Sequence, residues 1–389
     1  FQRHLKIRGS GDVVVAGLYC HIPFCRKRCL YCDFYKTTQV RFLPRYLAMV
    51  AGELALQKDY LEGESLETLY FGGGTPGLLA AGEVSALLDR VNALFCVVSG
   101  AEVTLEANPD DLISGKPAAW RAAGVNRLSL GIQSFDDGHL RAMNRRHTAP
   151  QALEAVHTAV NEGFTDISID LIFGLPGLSL SQWENTLDTA LSLPVSHISA
   201  YHLTYHEGTP FFTWLRRGML REATEEESLE QFSMLMAKTA KAGFEHYEIS
   251  NFARSGAYSR HNRGYWSGEK YLGLGPSAHS YNGHSRQWNV SSLQKYLQAL
   301  EIGKVPFEAE ELTATDRLND YLITRLRTRW GISTGALRAE FGEAATAAVL
   351  ASARPFLDEG TLTENEGALC LSPAGIMVSD RIMAALMSV

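Results

Sequence analysis

Cys25, Cys29 and Cys32 stand in the order Cys-x3-Cys-x2-Cys. An iron–sulfur cubane has four irons, each seeking a thiolate or a substitute. Three thiols on one short loop satisfy three irons and leave the fourth open to a small chelating molecule. Zinc is the competing occupant, but a structural zinc site wants four protein ligands. His21 and Cys20 are near, yet no fourth partner has zinc-like spacing. Three unrelated buried cysteines are the bland alternative. Cys96 and Cys370 are scattered, and no disulfide framework is suggested. The expected setting is therefore reducing, the cytoplasm or the cytoplasmic face of a membrane. Cys20 is expected to be a small buried hydrophobe.

Four further segments carry polar groups suited to a ligand. In Phe71-Gly72-Gly73-Gly74-Thr75-Pro76 the missing Cβ atoms let backbone groups approach a bound molecule, or simply make a tight turn. Glu106, in TLEANPDD, is either a solvated loop acid or a ligand contact. Gln133 and Arg145, in LSLGIQSFDDGHLRAMNRRHT, offer an amide and a guanidinium for hydrogen bonds. Asp170 lies within the apolar run ISIDLIFGLPG, where a carboxylate is costly unless paired, so a pocket-facing role is expected.

These groups need a scaffold that gathers them. Strands are expected at Val13–His21, Thr68–Phe71, Glu102–Glu106, Arg127–Ile132, Asp166–Ile172 and His197–Leu203. Amphipathic stretches lie between them at Leu43–Tyr60, Glu83–Phe95, Ala118–Ala123, Pro150–Glu162 and Ser181–Leu191. Six strands alternating with helices predict βαβ units and a parallel sheet, with ligands at the carboxyl ends of the strands. The motifs sit at those ends, so one shared pocket is expected. A long helix is predicted over Ala223–Ala242, then Gly- and aromatic-rich loops over Gly243–Trp288. From about Val305 two helices, a short strand pair and a last helix suggest a smaller, mainly helical, winged-helix-like domain. The expected division is 1–222, 223–304 and 305–389.

The chain has 389 residues, 46% hydrophobic and 20% charged, with a net charge of −7. This suits a globular α/β protein and offers no support for a nucleic-acid partner. No apolar run approaches the roughly 20 residues of a spanning helix. FQRHLKIRGSGDVVVAG has no long apolar core or cleavage site, so a signal peptide is not expected.

CxxxCxxC after a first strand resembles the signature of the radical S-adenosylmethionine (SAM) superfamily. The resemblance implies a partial (β/α)6 barrel and a [4Fe–4S] cluster on Cys25, Cys29 and Cys32, the fourth iron being chelated by the amino and carboxylate groups of SAM. Tyr31, before Cys32, fits the pattern. YCHIPFCRKRCLYCDFY, YFGGGTP, LSLGIQSFDD, IDLIFGLPG and HYEISNFA…SRHNRGYWSGEKYLGLGPSAHS together resemble one branch over nearly the whole chain. That branch holds the oxygen-independent coproporphyrinogen III oxidases and their heme-chaperone paralogues. Tyr19, Gly73, Gly74, Thr75, Glu106, Gln133, Arg145 and Asp170 fall on its SAM-contacting positions.

His261-Asn262-Arg263-Gly264-Tyr265-Trp266 resembles the HNxxYW motif associated with heme b binding in the chaperones. A neutral imidazole can ligate heme iron, and Tyr265 and Trp266 offer flat faces to a porphyrin. From the residues alone, a packed aromatic loop with a hydrogen-bonded histidine is the competing picture, and His279 and His284 are alternative ligands. The oxidases carry a further cysteine two residues after the third ligand. Here that residue is Phe34. They also have an N-terminal extension over the substrate, whereas about two dozen residues precede Cys25 here. Both differences favour a chaperone. The resemblance then implies a homodimer that carries heme to heme-accepting membrane or respiratory proteins. The alternative it leaves open is an oxidase, in which an electron donor and the cluster cleave SAM to a radical that initiates loss of CO2 from two propionates.

Overall fold

The computed structural model describes residues 7–8, 12–13, 15–112 and 115–387. Much of the N-terminal stretch in which no signal peptide is expected lies outside them. Strands β1 (Val15–Ile22), β2 (Ser65–Gly73), β3 (Val97–Ala107), β4 (Arg127–Gln133), β5 (Asp166–Phe173) and β6 (His197–His202) pair in chain order, all parallel. They match the six expected strands to within a few residues. Helices Leu43–Leu56, Ala81–Leu94, Lys116–Ala122, Ala149–Asn161 and Leu180–Ser192 fill the crossovers. The last starts where its sequence says it should: Ser179 accepts from the Gln182 amide, and the Gln182 side chain accepts from the Ser179 amide.

The strands are two-faced. In β4, Leu128, Leu130 and Ile132 are fully buried in the apolar layer beneath the helices, while Ser129, Gly131 and Gln133 face a cleft. In β5, Ile167, Ile169 and Leu171 alternate with Ser168 and Asp170 in the same way. Period-two alternation thus sends the apolar residues to the helix layer and the polar ones to the concave inner face.

The barrel is open. On one side β6 is bordered by antiparallel β8 (Asn251–Arg254), which pairs with β7 (Phe244–Glu248). On the other, β9 (Lys270–Leu274) runs parallel to β1 and is followed by antiparallel β10 (His279–Tyr281), β11 (Ser285–Asn289) and β12 (Phe307–Glu311). The sheet therefore has twelve strands. The loops expected over Gly243–Trp288 are instead mostly these edge strands plus helix Arg260–Ser267. They escape recognition because each is short and rich in Gly, His and Tyr, too brief for a period to show.

A second core gathers Leu318, Leu322, Leu326, Ile332, Leu337, Val349, Phe356, Leu369 and Ile382. Helices Ala314–Leu326, Thr334–Asp358 and Ser379–Leu386 build it with the hairpin Leu362–Asn365/Ala368–Leu371. The C-terminal region is helical, as expected. Its longest helix breaks at Gly342, whose φ of +84° only glycine adopts at little cost. Among the described residues no helix is long and apolar enough to cross a membrane.

Candidate functional site

The loop after β1 and the ends of β2 to β6 enclose a cleft of about 420 Å³. Cys25, Cys29, Tyr31, Cys32, Gly73, Gly74, Thr75, Glu106, Gln133, Arg145 and Asp170 all line it. A single metal ion needs its ligands within about 2.3 Å of one point. Among the described residues no three of His, Cys, Asp or Glu converge in that way. The three thiols face the cleft from separate points of one loop, an arrangement suited to a cluster in which each iron takes one thiolate. The neighbours fit an anionic cluster. Arg145 Nη1 lies 3.3 Å from Cys29 Sγ, and Thr75 Oγ1 lies 3.5 Å from Cys25 Sγ. Lys36 Nζ donates to the Cys32 carbonyl at 2.5 Å. Arg145 Nε is buried with no hydrogen-bond partner among the described residues.

The glycine run serves the cluster loop as well as the cleft. Gly74 N donates to the Ile22 carbonyl at 2.8 Å. A Cβ on Gly74 would lie 2.8 Å from the Ile22 and Phe24 carbonyl oxygens, so the chain entering Cys25 passes directly over it. Gly73 has φ +104°, a conformation L side chains rarely adopt, and its amide donates to Glu106 Oε2 at 3.0 Å.

Glu106 also accepts from Tyr70 OH at 2.8 Å, and Asp170 accepts from Ser129 Oγ at 3.3 Å. Burial, then the neighbouring Asp170 charge, raises the Glu106 pKa to about 7. Burial raises that of Asp170 to about 6 despite the Ser129 hydrogen bond and the charges of Arg127 and Arg145. Two carboxylates held above their ordinary range in one cleft suit a cationic ligand, which would restore their charge. Asn108 escaped the sequence reading. Its Oδ1 accepts from Arg145 Nη2 at 2.5 Å and its Nδ2 donates to Thr75 Oγ1 at 3.2 Å, so it fixes both residues. Its place beside Pro109 at the end of β3, inside the quoted TLEANPDD, was the available signal.

Tyr19 does not join this group. With Tyr265 and Trp266 it lines a second cleft, of about 790 Å³, between strands β9 to β11 and helix Ala314–Leu326. Asp33 and Phe34 line both clefts, and Phe34 is 67% exposed. His261 lines neither. Helix Arg260–Ser267 starts on the Glu102 carboxylate, which accepts from the Arg260 and His261 amides at 2.9 and 3.0 Å. That anchor pins His261 against the inner face of the sheet. Its Nδ1 hydrogen-bonds Thr68 Oγ1 at 2.8 Å and its Nε2 hydrogen-bonds Tyr265 OH at 2.7 Å. Its ring stacks on Tyr70 with centroids 5.0 Å apart. Burial, then the Arg127 charge, lowers its pKa to about 3.

Comparison with known proteins agrees with this architecture. Residues 19–190 match the Radical SAM superfamily model, and residues 312–378 match the HemN C-terminal domain. The chain is 33% identical to the heme chaperone HemW of Bacillus subtilis, over 95% of this chain and 98% of the relative. It is 35% identical to the heme chaperone HemW of Mycobacterium tuberculosis, over 95% and 94%. The fold matches the coproporphyrinogen III oxidase HemN of Escherichia coli, a radical SAM enzyme, with a TM-score of 0.84 at 24% identity, covering 96% of this chain and 90% of that one. The expected resemblance is thus upheld, and membership of that superfamily implies a [4Fe–4S] cluster and SAM. The chain belongs to the radical SAM superfamily, in the HemW family of the oxygen-independent coproporphyrinogen III oxidase-like branch.

Proposed function

We propose that this protein is a heme chaperone, which holds heme b in the second cleft and passes it to heme-accepting membrane or respiratory proteins such as cytochromes. The observation that carries this reading is a large aromatic cleft, including Tyr265 and Trp266 of the HNxxYW motif, set beside the cysteine cleft and sharing Asp33 and Phe34 with it. The names of the relatives support heme as the cargo. Lined by eight Tyr, Phe and Trp rings and by seven charged side chains, the cleft has the size usual for organic ligands and suits one that is flat and carries charged substituents.

In the first cleft Cys25, Cys29 and Cys32 would hold three irons of the [4Fe–4S] cluster, and Gly73, Gly74, Thr75, Glu106, Gln133, Arg145 and Asp170 would surround SAM, with Tyr31 beside the cysteines. Bound there, the cluster supplies one-electron chemistry toward SAM. Arg145 offsets the thiolate charge, and Asn108 orients Arg145 and Thr75. Glu106 and Asp170 supply negative charge for a sulfonium ligand. Tyr19, facing the second cleft, belongs with the heme side in this arrangement.

The test is a hemin titration of anaerobically reconstituted protein beside an assay with coproporphyrinogen III, SAM and reductant. Saturable hemin binding with no catalytic formation of protoporphyrinogen is the expected result. Catalytic decarboxylation, or no hemin binding, overturns the proposal.

A further inference from the structure

We infer that heme in the second cleft is ligated by His279, not by His261 of the HNxxYW motif, with Arg317 placed to meet a propionate. The inference rests on the heme-carrier reading and says how that cleft holds its cargo.

An axial histidine needs one ring nitrogen with a free lone pair facing the porphyrin. His261 has neither nitrogen free, since Thr68 and Tyr265 occupy both, and it does not face the cleft. His21 does face the cleft, but Tyr19 OH contacts its Nδ1 at 3.1 Å and the Tyr35 carbonyl accepts from its Nε2 at 2.9 Å. His279 is the third candidate. It lines the cleft and is exposed, and neither of its ring nitrogens has a hydrogen-bond partner among the described residues. His284, the other alternative in the sequence, does not line the cleft.

The strand explains why His279 points there. Side chains two apart in a strand share a face. His279 and Tyr281 share the cleft face of β10, while Ser280 between them is buried on the other, its Oγ accepting from Gly273 N at 2.9 Å. Tyr271 pairs with Tyr281 across β9, and Arg286 pairs with it across β11. Trp288, opposite His279, stacks on its ring at 6.2 Å between centroids and steadies it. Partial burial against the cleft wall, then the Arg286 charge, lowers the His279 pKa, which favours the neutral ligating form.

The opposite wall is one face of helix Ala314–Leu326. Arg317, Asp320, Tyr321 and Thr324 are spaced i, i+3, i+4 and i+7, and all line the cleft. The three arginines there are not equivalent. Arg286 is engaged by Asp320 and Glu310. Arg325 donates to the Trp266 and Ser267 carbonyls. Arg317 is exposed and makes no ion pair among the described residues, so its guanidinium is available to a carboxylate. His261 then acts as a positioning residue that holds the Tyr265 hydroxyl from beneath.

The experiment is a spectrophotometric hemin titration of the full reconstituted chain and of His279→Ala, His261→Gln and Arg317→Glu. His279→Ala should lose the Soret band of imidazole-ligated heme and bind at least about tenfold more weakly, with free imidazole restoring the band. His261→Gln, which keeps an amide in the buried network, should retain that band. Arg317→Glu should weaken hemin about tenfold but leave hemin dimethyl ester nearly unaffected, because the ester has no propionate charge. An unchanged band and affinity in His279→Ala overturns the ligand assignment while leaving a wild type that binds hemin as a carrier. A wild type that binds no hemin removes the carrier reading itself.

Discussion

With SAM in the first cleft as proposed, Glu106 would make its affinity a function of pH. In the unliganded cleft its pKa is about 7, against an ordinary 4.5, because burial and Asp170 oppose its charge. SAM carries a permanent sulfonium charge, so it favours the ionised carboxylate. If binding returns Glu106 to its ordinary range, binding below pH 7 must expel a proton. With linked pKa values of 7 free and 4.5 bound, affinity at pH 8 exceeds that at pH 5.5 by about 30-fold, or ~2 kcal/mol. The same shift acts with the opposite sign on the unliganded fold. A carboxyl whose folded pKa is raised stabilises the fold most below pH 4.5, and that contribution is lost as pH rises through 7. For Glu106 alone this is about 3 kcal/mol. Unliganded protein should therefore become less stable across the window in which it gains affinity for SAM. Equilibrium dialysis with labelled SAM, on anaerobically reconstituted wild type and Glu106→Gln at several pH values, reads the effect. Glu106→Gln should bind weakly at pH 8 and show a much shallower slope, the remainder belonging to Asp170. A flat wild-type profile, or the same slope in both proteins, refutes the reasoning.

Three other perturbations probe the scaffold. Gly74→Ala puts a methyl against the Ile22 and Phe24 carbonyls, so iron content after reconstitution should fall sharply while circular dichroism still reports a folded α/β protein. Arg145→Met removes a half-buried guanidinium that serves Asn108, the Gly131 carbonyl and Cys29, at a cost of about 2–3 kcal/mol measured by denaturant unfolding, with faster cluster loss on exposure to a chelator. Glu53 is fully buried and accepts from Tyr296 OH, Asn289 Nδ2 and Gly275 N, tying helix Leu43–Leu56 to the segment that follows β9. Glu53→Ala orphans those donors and should lower stability by about 3 kcal/mol or more, with hemin affinity falling alongside because β9 to β11 form a wall of its cleft.

The parallel strands were legible because their chemistry is doubly periodic. RLSLGIQ throughout, and DISIDLIF as far as Asp170, show an apolar residue for the helices alternating with a small or polar one for the inner face, with a turn signal at the end. The cysteine loop was legible because its ligands are local in sequence. The edge strands were not, since KYLGL, HSY and SRQWN are too short to carry a period and are defined by pairing partners. The histidines show a deeper limit. HNxxYW draws the eye to His261, and its residue type is right for heme. Whether a histidine can ligate depends on who holds its nitrogens, and Thr68, which holds one of them, is 193 residues away. His279 sits in a three-residue strand, and what recommends it is the lack of such a partner among the described residues together with its place on the cleft face. A motif thus marks the element that matters to a site, while the lone pair that does the chemistry is settled by the tertiary hydrogen bonds around it. Here those bonds assign His261 to the frame of the cleft and leave His279 free to face its contents.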